Sequence, residues 1–419
     1  MKKYETYKDS GLEWLGMVPE HWGIVPLKYL LSEPLQYGAN ESADNCNPSE
    51  PRYIRITDIT EDGKLRKSTY RTLPYQKAEG YMLKKGDILF ARSGATVGKT
   101  FIFEEDYDAC FAGYLIKASC NEKLLPMFLY YFTSSNSYEN WKNSTFNQAT
   151  IQNIGADKYC TLPIPTPSSE EQEGIINFLS HNVAQIDALI SEKENMVEDL
   201  KAYRSSLITE TVTKGLDKDV KMKDSGVEWI GKMPQNWKLL KLKRIVNLKS
   251  GTSLTSDRIL DEGKYQVFGG NGPRGYIDDY TNEGNFVLIG RQGALCGNIN
   301  YANGKFWATE HAIICYPLKE IDTIWLGETL RSMNLNQYSI SAAQPGLAVE
   351  RINELLIPTP SISEQKEISS YLKLKITQIE SAISEQEHQL SDLKSYKSSL
   401  ITEAVTGKID LRDWQTKKS

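Results

Sequence analysis

The chain contains no run of about eighteen consecutive apolar residues, so no segment reads as a membrane-spanning helix. Its start, MKKYETYKDS, lacks the apolar stretch of a secretory signal, and a cytoplasmic location is expected. Cysteine and histidine are scarce. Six cysteines and four histidines are scattered without a C-x-x-C pair, a pattern that supports neither a zinc site nor a disulfide framework. Positive charge is also short, the net charge being −5. That excludes a chain coated in basic residues, and any hold on a polyanion has to come from local Lys/Arg clusters. H-E-x-x-H, a nucleophile elbow, a dinucleotide-binding glycine pattern and the Asn-Pro-Pro-Tyr or Asp-Pro-Pro-Tyr signature of base methylation are all missing. Gly94-Ala95-Thr96-Val97-Gly98-Lys99-Thr100 comes near a phosphate-binding loop but fails on spacing, with three residues instead of four before the Gly-Lys pair. Phe101-Ile102-Phe103 then reads as strand where such a loop needs a helix. The expectation is a noncatalytic chain with no cofactor or metal of its own.

What the chain does have is length and repetition. Its 419 residues are too many for one ordinary core and imply two to four domains. Lys8-Asp9-Ser10-Gly11-Leu12-Glu13-Trp14-Leu15-Gly16, with Pro19 and Trp22, returns as Lys223-Asp224-Ser225-Gly226-Val227-Glu228-Trp229-Ile230-Gly231, with Pro234 and Trp237. A second block runs from Ile164-Pro165-Thr166-Pro167 through Glu171-Gln172 to Ser205-Ser206-Leu207-Ile208-Thr209-Glu210. It returns from Ile357-Pro358-Thr359-Pro360 to Ser398-Ser399-Leu400-Ile401-Thr402-Glu403. The material between blocks diverges and is about 22 residues shorter in the second half. Conserved ends around unlike middles describe one scaffold used twice to carry two variable modules.

Each Ile-Pro-Thr-Pro stops the module before it, because proline locks φ and has no N–H to donate. A helix is expected directly after, capped by Ser168 or Ser169 in the first copy and Ser361 or Ser363 in the second, with Glu170, Glu171 and Glu364 near the positive helix start. Leu179, Val183, Ile186, Ile190, Val197, Leu200 and Leu207 then fall on alternating steps of three and four, interrupted by Lys193 and Arg204. Leu372, Ile376, Ile379, Ile383, Leu390, Leu393 and Leu400 match them in the second copy. A single apolar seam needs a partner, and the nearest is the other copy. About forty helical residues span roughly 60 Å, enough for a rigid spacer. A plain helical hairpin fits the same seams.

The D-S-G-x-E-W-x-G-x-x-P-x-x-W block, the proline-led helix with Glu-Gln and the S-S-L-I-T-E-x-V-T ending resemble the conserved regions of specificity subunits of type I restriction-modification systems. Val405-Thr406-Gly407-Lys408-Ile409-Asp410 also resembles Val212-Thr213-Lys214-Gly215-Leu216-Asp217, with Met1–Trp22 supplying the continuation. The resemblance implies an α+β chain: two α/β target recognition domains separated by two long antiparallel coiled-coil helices in a circular pseudo-twofold repeat. The corresponding boundaries are an N-terminal conserved segment 1–22, recognition domain 23–162, central helix 163–213, linker 214–237, second recognition domain 238–355, distal helix 356–406 and tail 407–419. It further implies that each domain reads half of a split, asymmetric site in double-stranded DNA. The helices would fix a gap of roughly 10 base pairs centre to centre. They would also hold two methyltransferase subunits, alongside restriction motor-nuclease subunits, and S-adenosylmethionine and ATP with Mg would belong to those partners. The rival reading is a coiled-coil scaffold that joins proteins and ignores DNA sequence.

Within the first module, Pro51–Ile59 is expected to be an alternating strand that carries Arg52 and Arg55, followed by Lys64, Arg66, Lys67 and Arg71. Arginine can pair bidentately with guanine and lysine can neutralise phosphate. Each module then has a glycine-rich passage after a strand, Asp87–Gly94 with Arg92 and Ser93, and Phe286–Gly293 with Arg291 and Gln292. The second adds a polar loop, Gly269–Tyr276, carrying Asn271, Arg274 and Tyr276. Asn147-Gln148 and Gln344-Pro345 close the two modules, and Asn and Gln suit adenine edges. Neither module is basic overall: residues 23–161 carry about 16 basic and 16 acidic side chains and 238–355 about 13 and 12. Weak binding to DNA by the chain alone is therefore expected.

Overall fold

The computed structural model describes residues 2–42, 44–60, 63–146, 153–293, 295–339 and 346–414. The chain divides into two compact units, Met1–Lys193 with His388–Ser419, and Glu194–Glu387. Two helices, the central one at Ser169–Lys214 and the distal one at Ile362–Val405, run through both, so each unit owns one half of each helix.

In the first unit a four-stranded antiparallel sheet has the order Gln36–Tyr37, Leu115–Ala118, Ile88–Ala91, Thr100–Ile102. Ile88–Ala91 and Leu115–Ala118 are buried at every position, which explains why they read as near-continuous apolar runs. Lys117 is the exception, and its ammonium lies 2.9 Å from Glu33 Oε1. A parallel pair, Arg52–Ile54 with Ala109–Phe111, forms a second small sheet. The main core gathers Phe90, Phe128, Phe132, Tyr138, Tyr159 and Trp22, and continues onto Leu179 and Ile186 of the central helix and Leu400, Ile401 and Val405 of the distal helix.

The second unit repeats the plan. Its antiparallel sheet runs Val246–Ser250, Ala312–Pro317, Phe286–Gly290, Ile299–Ala302, and Tyr265–Gly269 pairs in parallel with Lys305–Ala308. Here the parallel pair is widened to four strands by Gly272–Ile277 and Asn282–Glu283. The polar loop expected over Gly269–Tyr276 is in fact a hairpin, with Gly269 opposite Gly272 and Tyr265 opposite Ile277. Pro273 lies within its second strand. Gly272–Ile277 is the outer strand of its sheet, where a missing N–H costs no ladder bond.

Both long helices start from the same capping box. Ser168 Oγ accepts from Glu171 N at 3.2 Å while Glu171 Oε2 accepts from Ser168 N at 3.3 Å; Ser361 and Glu364 repeat this at 3.3 and 3.1 Å. The Ile-Pro-Thr-Pro segments ahead of them are strands, Pro163–Thr166 pairing with Gly23–Pro26 and Leu356–Thr359 with Lys238–Lys241. Trp22 and Trp237 are buried and donate Nε1–H to Glu171 Oε1 at 3.4 Å and Glu364 Oε1 at 3.1 Å. The adjacent Gln172 and Gln365 accept from Leu125 N and Asp322 N, which ties each module to the first turn of its helix. The repeated Trp and Glu-Gln are thus parts of one joint, made twice.

The helices run antiparallel within each unit. In the first, Lys397 Nζ meets Asp187 Oδ1 at 2.6 Å and Lys193 Nζ meets Gln389 Oε1 at 2.7 Å. In the second, Lys201 faces Glu387 at 3.8 Å and Arg204 faces Glu380 at 3.4 Å. The two interruptions of the apolar seam, Lys193 and Arg204, are therefore cross-helix partners. Val183, Ile190 and Leu393 pack on the first core; Leu372 and Ile376 belong to the second. Val197, Ile379 and Ile383, with Leu200 and Leu207, make a separate helix–helix cluster, and Leu390 is half-buried.

The chain's last described residues complete the first unit. Asp410 N donates to Lys2 O at 2.9 Å, and Gly407, at φ +68°, leaves the distal helix where a Cβ would run into the Pro19 ring. Gly215, at φ +77°, ends the central helix 3.1 Å from Trp237 measured from a Cβ built there. The two exits are equivalent, as a circular repeat requires.

Candidate nucleic-acid interface

In each module one inner strand of the antiparallel sheet is followed directly by an arginine. Arg92 follows Ile88–Ala91 and Arg291 follows Phe286–Gly290. Their backbones are held alike: Arg92 N donates to Tyr114 O at 3.1 Å and Arg92 O accepts from Ile154 N at 2.9 Å, while Arg291 N donates to His311 O at 2.8 Å and Arg291 O accepts from Leu347 N at 2.9 Å. Ser93 is bridged to Asn153 and Gln292 to Gly346. Register extends the correspondence, because Tyr37 lies across from Ile116 and Ser250 across from Ile313, and those two lie across from Phe90 and Ile289. Tyr37 and Ser250 therefore occupy one position of the frame, as do Tyr114 and His311.

The side chains on that frame differ. The Arg92 guanidinium lies 5.0 Å from the centroid of the Tyr37 ring and 5.7 Å from that of Tyr114. Its Nε is buried with no hydrogen-bond partner among the described residues. The two tyrosines are 41% and 58% exposed, so the cluster faces solvent at its rim. In the second module His311 Nδ1 lies 3.1 Å from Gln292 Oε1, a contact that holds the amide in place.

Other candidates stand elsewhere. The alternating strand expected over Pro51–Ile59 is corrected: only Arg52–Ile54 is strand, all three residues are buried, and its arginine does not face solvent. Arg52 donates to Tyr107 OH at 2.9 Å and Arg66 O at 2.9 Å and lies over the rings of Tyr70 and Tyr107. Arg55 forks onto Asp58 at 3.0 and 2.8 Å and reaches Thr69 O. These two guanidinia thus stitch the module together. Arg71 is half-buried and donates to Tyr70 O at 2.8 Å. Lys64, Arg66 and Lys67 are exposed. Asn271 is exposed and accepts from Asn298 Nδ2 at 2.7 Å; Arg274 is exposed on the outer strand and Tyr276 is half-buried on it. Asn147, Gln148 and Gln344 lie outside the described residues. Tyr37, Tyr114, Ser250 and His311 were not singled out from the sequence, since only strand register brings them beside the arginines.

No group of three or more His, Cys, Asp or Glu suited to a metal occurs among the described residues. The residues after Lys99 form a strand, Thr100–Ile102, antiparallel to Ile88–Phe90.

Among known proteins, the chain is 29% identical over 327 residues to the type I restriction enzyme EcoprrI specificity subunit of Escherichia coli, covering 76% of this chain and 79% of that one. It is 24% identical to the type I restriction enzyme MjaVIII specificity subunit of Methanocaldococcus jannaschii, covering 98% and 97%. Among solved structures, a chain described in connection with complex assembly and conformational transition of the type I R-M system matches with a TM-score of 0.73 at 17% identity, covering 94% of this chain and 99% of that one. The HsdS subunit from Thermoanaerobacter tengcongensis matches with a TM-score of 0.50 at 17% identity over 94% and 98%. These likenesses concern the fold. The sequence profile of the type I restriction modification DNA specificity domain matches residues 36–199 and again 234–388, one copy per module, and the chain belongs to that family.

Proposed function

We propose that the chain is the DNA-reading subunit of a type I restriction-modification complex, each module reading one half of a bipartite, asymmetric site. The observation that carries this reading is the doubled frame with unlike side chains at its tips, Tyr37, Arg92 and Tyr114 against Ser250, Arg291, Gln292 and His311. One backbone used twice with different donors and acceptors is what two different half-sites demand. The chain itself does no chemistry on DNA. S-adenosylmethionine belongs to two methyltransferase subunits held through the repeated helices, and ATP with Mg to any restriction motor-nuclease that joins them. Among the described residues no helix is long and apolar enough to cross a membrane, in keeping with work beside DNA in the cytoplasm.

Lys64, Arg66 and Lys67 serve as phosphate contacts in this reading, and with so few of them the isolated chain binds DNA weakly and with a shallow salt dependence. Methylome sequencing of cells carrying the chain with its methyltransferase subunits tests the proposal. A methylated motif of two unlike halves around a fixed gap is expected. An assembled, active complex that writes no such motif would refute it. Inserting helical residues after Ser191, in the continuous central helix, is expected to change the gap and leave both halves intact.

A further inference from the structure

Resting on that reading, we infer that Arg92 reads a guanine in the half-site taken by the first module, with Tyr37 and Tyr114 as positioning residues that hold its guanidinium. Three observations converge. The first is how the other arginines of this module are employed. Arg52 and Arg55 spend their guanidinia on named acceptors inside the fold, Arg71 bonds the carbonyl of its neighbour Tyr70, and Arg66 stands exposed. Arg92 has no carboxylate or carbonyl acceptor among the described residues, and its Nε is buried and unpartnered. A half-buried cation whose donors are not used up by the described residues has them to offer to a ligand.

The second observation is the geometry of the hold. Both tyrosine rings lie against the guanidinium carbon, at 5.0 and 5.7 Å from their centroids. Aromatic faces attract a guanidinium and restrict its rotamers without using its N–H groups, so the terminal donors stay available. Tyr37 is itself anchored, its hydroxyl accepting from Ala156 N at 3.0 Å. The backbone beneath Arg92 is fixed on both sides by Tyr114 O and Ile154 N. A planar fork held at the end of a rigid strand, with two parallel donors to offer, matches the O6 and N7 acceptors that guanine presents in the major groove. Lysine could neutralise a phosphate from the same place but cannot reproduce the fork.

The third observation is the contrast with the second module. At the equivalent positions stand Ser250 and His311, and His311 holds the Gln292 amide instead of flanking an arginine. The tyrosine pair is thus a feature of the first module alone, where a residue that chooses a base belongs, and not a requirement of the shared frame.

The test is methylome sequencing of the full chain with its methyltransferase subunits, comparing wild type with Arg92→Lys, Arg92→Gln, Tyr114→Ala and Tyr114→Phe. The expected result is that Arg92→Lys and Arg92→Gln each relax one guanine position of one half-site, by about 10- to 100-fold in preference for G over the other bases. The second half and the gap stay as they were. Tyr114→Ala relaxes the same position and Tyr114→Phe restores it, since the ring and not the hydroxyl does the holding. A bipartite wild-type motif that survives Arg92→Gln unchanged overturns this inference alone. So does uniformly weaker methylation of an unchanged motif, which marks a phosphate contact, or loss of all methylation by both Arg92 variants in complexes that still assemble. A wild-type complex that writes no bipartite motif removes the functional reading, and this inference with it.

Discussion

The two modules share a frame down to strand register and part company at its tips. Arg92 and Arg291 are held by the same pair of backbone bonds, and Gly38 and Gly251 press equally against the backbone where the parallel strand ends, Phe111–Ala112 in one case and Ala308–Thr309 in the other. Around those fixed points the first module places Tyr37 and Tyr114, the second Ser250 and His311. The second also widens its small sheet from two strands to four while spanning fewer residues. The lesson is a division of labour. The parts that repeat, Trp22 with Glu171 and Trp237 with Glu364, join module to helix, and the parts that differ are those free to meet a ligand.

The largest test of that division is to break the joint. Trp22 is wholly buried and Trp237 is 2% exposed, and each bridges its module core to a helix start. Replacing either by alanine is expected to cost about 3–5 kcal/mol, through lost burial and the cavity left behind. Hydrogen exchange should show the loss concentrated in the unit that carries the substitution. Equal damage to both units from one substitution would mean that the copies do not act as separate joints.

A second test acts on the tips. Gln292→Ala and His311→Ala are expected to relax the same position of the second half-site, each by about 1–3 kcal/mol of base discrimination, and to leave the first half untouched. The shared outcome follows because His311 Nδ1 holds Gln292 Oε1 at 3.1 Å. Two different relaxed positions in the methylated motif, or a change in the first half, would separate the residues that the structure pairs.

Much of this comparison is legible in the sequence. The doubled Trp-Gly and Ile-Pro-Thr-Pro blocks located both joints, and the seam from Leu179 to Leu207 and from Leu372 to Leu400 located both helices, because helix periodicity and proline are local signals. The matching places of Arg92 and Arg291 were legible for the same reason, each following an apolar strand into glycine. The fate of Arg52 and Arg55 is not legible in strand periodicity, because their acceptors, Tyr107 OH and Arg66 O for the first and Asp58 and Thr69 O for the second, are set by how the module folds. Tyr37 and Tyr114 were passed over on similar grounds. They are 77 positions apart and meet only through the sheet, whose register no short motif encodes.

The capping boxes offer a smaller and more exacting comparison. Ser168→Ala and Ser361→Ala each remove the hydroxyl that accepts from the third residue on, Glu171 or Glu364. Each is expected to lower stability by about 1 kcal/mol, the usual worth of a serine cap. Since the two boxes are built alike, urea denaturation should give similar losses, and a difference well beyond that figure would show that one helix start depends on its module more than the other.

The smallest effect separates the two joints at a chemical difference beside the carboxylate. His21 Nε2 lies 2.9 Å from Glu171 Oε1, whereas the second copy has Asn236 in the corresponding place before its tryptophan. Burial pushes the Glu171 carboxyl up, but His21, the Ser168 amide and Trp22 outweigh it and hold the group below its ordinary value of 4.5. A carboxylate whose folded pKa is depressed adds stability that is complete above the unfolded pKa and is lost as the pH falls through the folded one. His21→Asn makes the first joint resemble the second and removes one of the groups that keep Glu171 ionised. The histidine side chain is about half exposed, so screening limits its contribution and the expected cost at pH 7 is under about 1 kcal/mol. The gap between wild type and variant should close as the pH is lowered through the depressed carboxylate value, where Glu171 takes up its proton in both. Unfolding curves at pH 7 and through the acid range below the ordinary carboxylate value distinguish this from a packing effect, which would leave the same gap throughout.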